Sequence, residues 1–411
     1  MGCRFCNHSL DKVFLDLGHA SPSNSFLTEE EISKPEVTYP LKAMLCDNCF
    51  LVQVEEQKSH EEIFNKDYVY LSSMSKQWLE HSKKYAEMAK GRFGLNTGSR
   101  VMEVASNDGY LLNYFKEMGI NCLGIEPASS AAAIAKQKGI ETLEEFFGTA
   151  LAEKLKNERG GADLLVGNNV LAHVPDLNDF VIGLKTALKD KGVITMEFPN
   201  LVNLIKDTQF DTIYHEHFSY FSFSTARRIF KHHGLELFDV DELDTHGGSV
   251  RIYARHERDI SKPVSDKVRD LLEREEKIGV KSLEYYDGFS LKVNQVKRDF
   301  LRFLVDEGDE GRKVIAYGAA AKGNTLLNYC GVKPDLISEA IDTTPFKQGK
   351  YLPGSHIPVY SEEKLKELNP DTIIILPWNH KREIMSKLEK ISKTGTKFVT
   401  VIPEMDVNSK S

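Results

Sequence analysis

Three observations predict an α/β protein centred on an open, mostly parallel, Rossmann-like sheet. Strand-length and helix-length apolar patterns alternate from about residue 100 to 241. The first of these strands, 101–104, runs into the tight polar loop Ala105-Ser106-Asn107-Asp108-Gly109, and a helix follows at once. The second strand, 122–126, ends on an acid, Glu126, followed by Pro127. Two Cys-x-x-Cys knuckles precede this core, and a second strand–loop–helix alternation begins at Val314. The expected division is a knuckle domain over 1–75, the core over 76–260, a helical connection over 261–310 and a second Rossmann-like α/β domain over 311–411.

The composition is that of an ordinary globular chain: 411 residues, 41% hydrophobic and 28% charged. A formal net charge of −8 offers no basic footprint for nucleic acid and no polybasic anchor for a membrane surface. No apolar run approaches the length of a membrane span, and the first residues lack an apolar secretory core. The expected location is cytoplasmic.

Cys3 and Cys6 form one knuckle, Cys46 and Cys49 the other. Each knuckle turns tightly enough to place two thiolates on one ion, so the pair makes a closed four-thiolate set, the pattern of structural Zn2+. A disulfide framework is the competing reading, and a cytoplasmic location argues against it.

Within the core, an amphipathic helix over 78–92 precedes the first strand. The loop after that strand decides the ligand. A dinucleotide fingerprint needs three glycines so that pyrophosphate can approach the helix N-terminus, and this loop has one. Glu103, just before the loop, suits an ammonium or sulfonium ion better than a phosphate. A carboxylate at the second strand's tip suits ribose hydroxyls. These features together select S-adenosylmethionine. Helices at 129–138, 149–157 and 179–188 alternate with strands at 140–142, 163–167 and 193–198. A helix at 225–233 then leads to strands at 235–241 and 249–256, whose short connection suits an antiparallel pair. Parallel strands closed by such a hairpin describe a class I methyltransferase sheet. Its ligand edge would carry Glu126, Phe146, Phe147, Asn168, Asn169 and His173.

The densest cluster of reactive side chains is I-Y-H-E-H-F-S-Y at 213–220. Imidazole is the side chain best matched to moving protons near neutral pH, although an aromatic turn with satisfied histidines would read the same.

The motifs taken together carry a resemblance. The paired knuckles, E-V-A-S-N-D-G, I-E-P-A, N-N-V-L-A-H-V-P, I-Y-H-E-H-F, H-G-G-S-V-R and Y-G-A-A-A-K occur in that order over nearly the full length. In this the chain resembles the sugar C-methyltransferases that act on nucleotide-linked 4-keto deoxysugars, especially the C-3′ type. Ala105 stands where that family has glycine, and His215 stands where a member has aspartate, which argues against His215 as a base. The resemblance implies that Tyr214, Glu216, His217 and His173 line the reaction centre. It implies that Tyr68 or Tyr70 covers the cofactor or sugar, with Ala105, Ser106, Asn107, Gly109 and Pro127 on the cofactor side. His246, Gly247 and Arg251 fall on the substrate side, although a plain hairpin turn fits 246–248 equally well.

Carbon methylation needs a carbanion equivalent, which a neighbouring ketone makes accessible. The expected roles are His217 as base, Glu216 orienting its ring, and Tyr214 and His173 donating to the enolate oxygen. In the last domain, Y-G-A-A-A-K-G-N, with Lys322 and Asn324, reads either as a cradle for the substrate's pyrophosphate or as packing. Trp378-Asn379-His380 is expected at the lip of a cleft. The competing functions are sugar O- or N-methylation, and an NAD-dependent nucleotide-sugar oxidoreductase working from the last domain.

Overall fold

A computed structural model describes residues 2–63, 71–388 and 395–409. The described residues build three sheets. The central one has seven strands in the spatial order Leu235–Leu243, Ser249–His256, Leu188–Pro199, Ala162–Asn168, Arg100–Val104, Asn121–Ile125 and Thr142–Leu143. Ser249–His256 runs antiparallel to both of its neighbours and the remaining pairs are parallel. This is the methyltransferase-type sheet expected from the sequence. Its inner strands are buried on both faces and so read as continuous apolar runs.

The helix Lys76–Phe93 covers one face of this sheet. The Ser75 side chain caps it by accepting from the Trp78 N–H, and Gly94, at φ 64°, ends it in the left-handed region. Trp78, Ser82, Tyr85, Ala86 and Ala89 form its buried stripe.

The knuckle region holds a sheet that the sequence reading did not place: Lys12–Ala20, Tyr39–Leu45 and Val52–Val54, antiparallel throughout. Register shifts between Val13 and Leu15 and between Asp16 and His19 break the alternation that would have marked its first strand. Its fourth strand is borrowed: Ser219–Tyr220 pairs with Gln53 and Val52. The third sheet runs Val359–Tyr360, Ala340–Ile341, Val314–Tyr317, Thr372–Ile375, Lys397–Thr400 and Asp406–Ser409, and only the last of these is antiparallel. Ala340–Ile341 is short because Leu336 and Ile337, just before it, turn back onto the Lys333 carbonyl. The helices Asp266–Lys277 and Phe289–Asp309 fill the connection.

One apolar core joins these pieces. Phe14, Leu41 and Val52 from the knuckle sheet, Phe210 and Ile213 from the middle segment, and Phe289, Phe300 and Leu327 from the later helices all belong to it. A buried Phe contributes about 1.5–3 kcal/mol, so a shared core of this kind opposes independent motion of the parts. No described helix is long and apolar enough to cross a membrane.

Candidate active site

A cavity of about 810 Å3 opens at the carboxyl edge of the parallel strands. The loop after Arg100–Val104 enters it with Ala105 at φ 55° and Asn107 at φ 50°. Gly109, at φ 74°, sits beneath, where a Cβ would come within 2.4 Å of Ile140 Cδ1. Ala105, Asn107, Glu126, Pro127, Phe147 and Asn168 line this end of the cavity, as do Phe146 and Asn169. Glu126 accepts the Asn107 N–H at 2.9 Å and the Ala128 N–H at 2.8 Å, so its carboxyl is fixed at the strand tip. Burial pushes that carboxyl up to about 6, and the two N–H donors oppose the shift.

These groups fit S-adenosylmethionine. The side-chain oxygens of Asn168 and Asn169 are buried in the wall with no hydrogen-bond partner, as acceptors for ligand donors would be. Three expectations at this end need correction. Glu103, Ser106 and Gly109 lie under the loop and outside the cavity wall. Burial raises the Glu103 carboxyl well above the usual range, which disfavours the negative charge expected of it. Tyr68 and Tyr70 lie outside the described residues.

His173, Tyr214, Glu216, His217 and His246 line the same cavity. His217 Nδ1–H donates to the Thr212 carbonyl at 3.0 Å. Its Nε2 is therefore the basic nitrogen, and it accepts the Tyr214 hydroxyl at 2.8 Å. Burial, followed by the neighbouring His173, lowers the His217 imidazole well below its ordinary range, so the ring is neutral. The His173 and His217 ring centroids are 4.7 Å apart.

The expected pairing of Glu216 with His217 does not form. The Glu216 Oε1 accepts the Asn24 Nδ2–H at 2.7 Å, and the Thr212 carbonyl sets the His217 ring instead. Burial pushes the Glu216 carboxyl up to about 7, which Asn24 partly offsets. His173 does not match the donor role expected of it. Its Nδ1–H goes to the Glu216 carbonyl at 2.7 Å, and burial holds the ring down to about 4. Its Nε2 is then an acceptor. His215 turns away, with Nε2–H on the Pro40 carbonyl at 3.2 Å.

On the expected substrate side, His246 and Lys322 reach the cavity and three others do not. His246, at φ 53°, accepts the Asn169 Nδ2–H at 3.0 Å. Gly247 packs against Trp378, 2.3 Å from where its Cβ would be. Arg251 faces the helix Lys76–Phe93 and is paired with Glu197 at 2.6 Å, because strand alternation sends it to the sheet's face rather than its edge. Asn324 donates to the Ser23 carbonyl at 2.6 Å. Asn379 and His380 do stand at the lip. The sequence reading missed Asn24, Trp78 and Lys347 in the wall. Their only signal is spatial.

Cys3, Cys6, Cys46 and Cys49 place their sulfurs within 4.8 Å of one another. Tetrahedral Zn–S bonds of about 2.3 Å need sulfurs about 3.8 Å apart, and the Cys3–Cys49 and Cys6–Cys46 pairs stand at 3.5 and 3.6 Å. The four cysteines fit Zn2+. The knuckles also grip the site: Arg4 donates to the Pro175 carbonyl at 3.0 Å and to the Val54 carbonyl at 2.7 Å.

Among known proteins, residues 3–64 match a family profile described as "Putative zinc binding domain". Residues 75–240 match one described as a methyltransferase domain, and 244–403 one described as a C-methyltransferase C-terminal domain. The C-methyltransferase NovU of Streptomyces niveus is 32% identical over 412 residues, spanning 99% of this chain and 96% of that protein. Solved structures give fainter likenesses. A S-adenosylmethionine-dependent methyltransferase of Clostridium acetobutylicum is 12% identical with TM-score 0.35, covering 43% of this chain and 92% of its own. A magnesium protoporphyrin IX methyltransferase of Synechocystis is 14% identical with TM-score 0.34, covering 43% and 82%. Both are too distant to bear on the reaction.

Proposed function

The chain belongs to the C-methyltransferase family and depends on S-adenosylmethionine, and from that premise we propose that it methylates the carbon beside the ketone of a nucleotide-linked keto sugar. The observation that carries this reading is the Thr212–His217–Tyr214 chain of hydrogen bonds, in the same cavity as Glu126. A neutral imidazole with its tautomer fixed and a phenol on its basic nitrogen is a proton-accepting unit. Methylation of oxygen or nitrogen would not pass through an enolate.

When bound, S-adenosylmethionine supplies an electrophilic methyl. The Tyr214 oxygen takes the proton from the carbon next to the ketone as its own proton passes to His217 Nε2. The C–H electron pair becomes the enolate, and Glu216, half protonated near neutral pH, donates its O–H to the enolate oxygen. Held by Ala105, Asn107, Glu126 and Asn168, the cofactor would supply its methyl to that carbon, the S–C electron pair leaving with sulfur. Holding both reactants in one cavity provides much of the acceleration.

The nucleotide end of the substrate meets the third sheet. Lys322 and Lys347 line that wall, beside the N-terminus of the 10-residue helix Ala321–Cys330. Burial lowers the Lys322 ammonium, Asp211 opposes the shift, and the ammonium stands 4.7 Å from the Trp378 ring centroid. Two cations and a helix terminus suit a pyrophosphate.

The test is incubation with nucleotide-linked 4-keto sugars and labelled cofactor in deuterated water. Exchange at the carbon next to the ketone, together with methyl gain on that carbon, is expected. Methyl gain on oxygen without exchange overturns the reading.

A further inference from the structure

Asn24 belongs neither to the cysteine knuckles nor to the catalytic segment, yet it lines the cavity beside Glu216. Its Nδ2–H donates to Glu216 Oε1 at 2.7 Å across 192 residues of chain. Both sides of Asn24 are tied down. The carbonyl of the preceding Ser23 accepts Asn324 Nδ2–H at 2.6 Å. Beyond it, Leu27 and Tyr351 exchange backbone hydrogen bonds at 3.0 and 2.8 Å. The chain after the first knuckle strand is thus pinned to the C-terminal unit so that one amide faces one buried carboxyl.

We infer that Asn24 is a positioning residue for methyl transfer, fixing the Glu216 carboxyl so that Oε1 accepts the amide and Oε2 carries the proton offered to substrate. The inference rests on the reading of Glu216 given above as the group that meets the enolate oxygen. An oxygen that accepts an N–H is the poorer site for the carboxyl proton, so the amide selects which oxygen becomes the donor. The amide also favours the charged form and keeps the carboxyl from rising further. Among the described residues, the other groups around Glu216 are engaged with different partners. Tyr214 is engaged with His217, His215 turns to Pro40, and His173 holds the Glu216 backbone carbonyl rather than its carboxyl. Lys322 donates to Asn379 at 2.9 Å, and Lys347 to the Ala319 carbonyl at 2.8 Å.

The experiment compares Asn24→Ala, Asn24→Ser and Glu216→Ala in the full-length, zinc-loaded enzyme. It reads kcat, KM, the pH profile of kcat and calorimetric binding of S-adenosylmethionine. Asn24→Ala is expected to lower kcat about tenfold, the equivalent of one lost hydrogen bond, with cofactor binding unchanged. The alkaline limb of the profile moves to higher pH, because the charged carboxylate has lost a donor. Asn24→Ser keeps a short donor and recovers part of both effects. If Glu216→Ala abolishes turnover while Asn24→Ala keeps the wild-type kcat and limb, the role of Asn24 is overturned. A fall in kcat for both Asn24 variants with an unmoved limb also overturns it, since a merely structural role would give that result. Wild-type turnover by Glu216→Ala overturns the underlying reading of Glu216 instead.

Discussion

Val52 of the knuckle sheet pairs with Tyr220, three residues beyond His217, so the strand next to Cys49 is paired with the segment that carries the proposed catalytic groups. Val54 N–H adds to this by donating to the Phe218 carbonyl at 3.0 Å, and Phe218 N–H donates to the Ala172 carbonyl at 2.7 Å, next to His173. The metal site is thereby coupled to the distance between His173 and His217.

Loss of the metal should therefore cost turnover before it costs cofactor binding. In Cys6→Ser, or after chelation, zinc content by atomic absorption falls and turnover falls with it. Binding of S-adenosylmethionine to the seven-stranded sheet weakens far less. Equal loss of both would show that the knuckles support the whole molecule rather than this segment.

Glu126 should be the most sensitive single position for the cofactor. Glu126→Ala removes the acceptor of the Asn107 and Ala128 N–H groups along with the proposed ribose partner. Each buried donor left without a partner costs about 1–3 kcal/mol. Calorimetry should show the dissociation constant rising by about ten- to a hundredfold, with the KM for the sugar little changed.

Lys322 should separate the two ligands in the opposite sense. Lys322→Gln removes a cation that lines the third-sheet wall of the cavity. The KM for a nucleotide-linked sugar is expected to rise about tenfold or more, while cofactor affinity holds. An unchanged KM would place the pyrophosphate elsewhere.

Stability should carry the signature of Glu216. Burial raises its carboxyl from 4.5 to about 7, and each unit is worth about 1.4 kcal/mol. A raised folded value means that the contribution is full below about 4.5 and is lost as pH climbs through about 7. His173 and His246 run the other way. Burial lowers both from 6.5 to about 4, so their contribution is full above 6.5 and is lost as pH falls toward 4. The two trends oppose each other in the wild type. Comparison with Glu216→Gln isolates the first: wild-type Tm should fall relative to the variant between pH 5 and 7. A constant difference would mean that the carboxyl titrates normally.

The seven-stranded sheet was legible because six of its seven strands run for five to twelve residues and carry their own pattern. Its ligand edge followed from that order, and Glu126, Phe147, Asn168 and Asn169 all reach the cavity. The two knuckles were legible because a C-x-x-C turn is a local geometry. The knuckle sheet was not, since bulges break its alternation and its last strand is two residues borrowed from the middle of the chain.

Sequence alone therefore determined the sheet, the four thiolates and the residue types crowded at 213–220. Tertiary structure decided who meets whom among them. Glu216 follows Tyr214 by two residues and precedes His217 by one, yet its partner is Asn24, and the His217 ring is set by a backbone carbonyl at Thr212. The same holds for Arg251 and Asn324, whose types suited a substrate and whose side chains point into packing. Backbone period is fixed by near neighbours along the chain. The direction and protonation of a buried polar group are fixed by whichever partner the fold brings within about 3 Å of it, and nothing in the local sequence spacing records that partner.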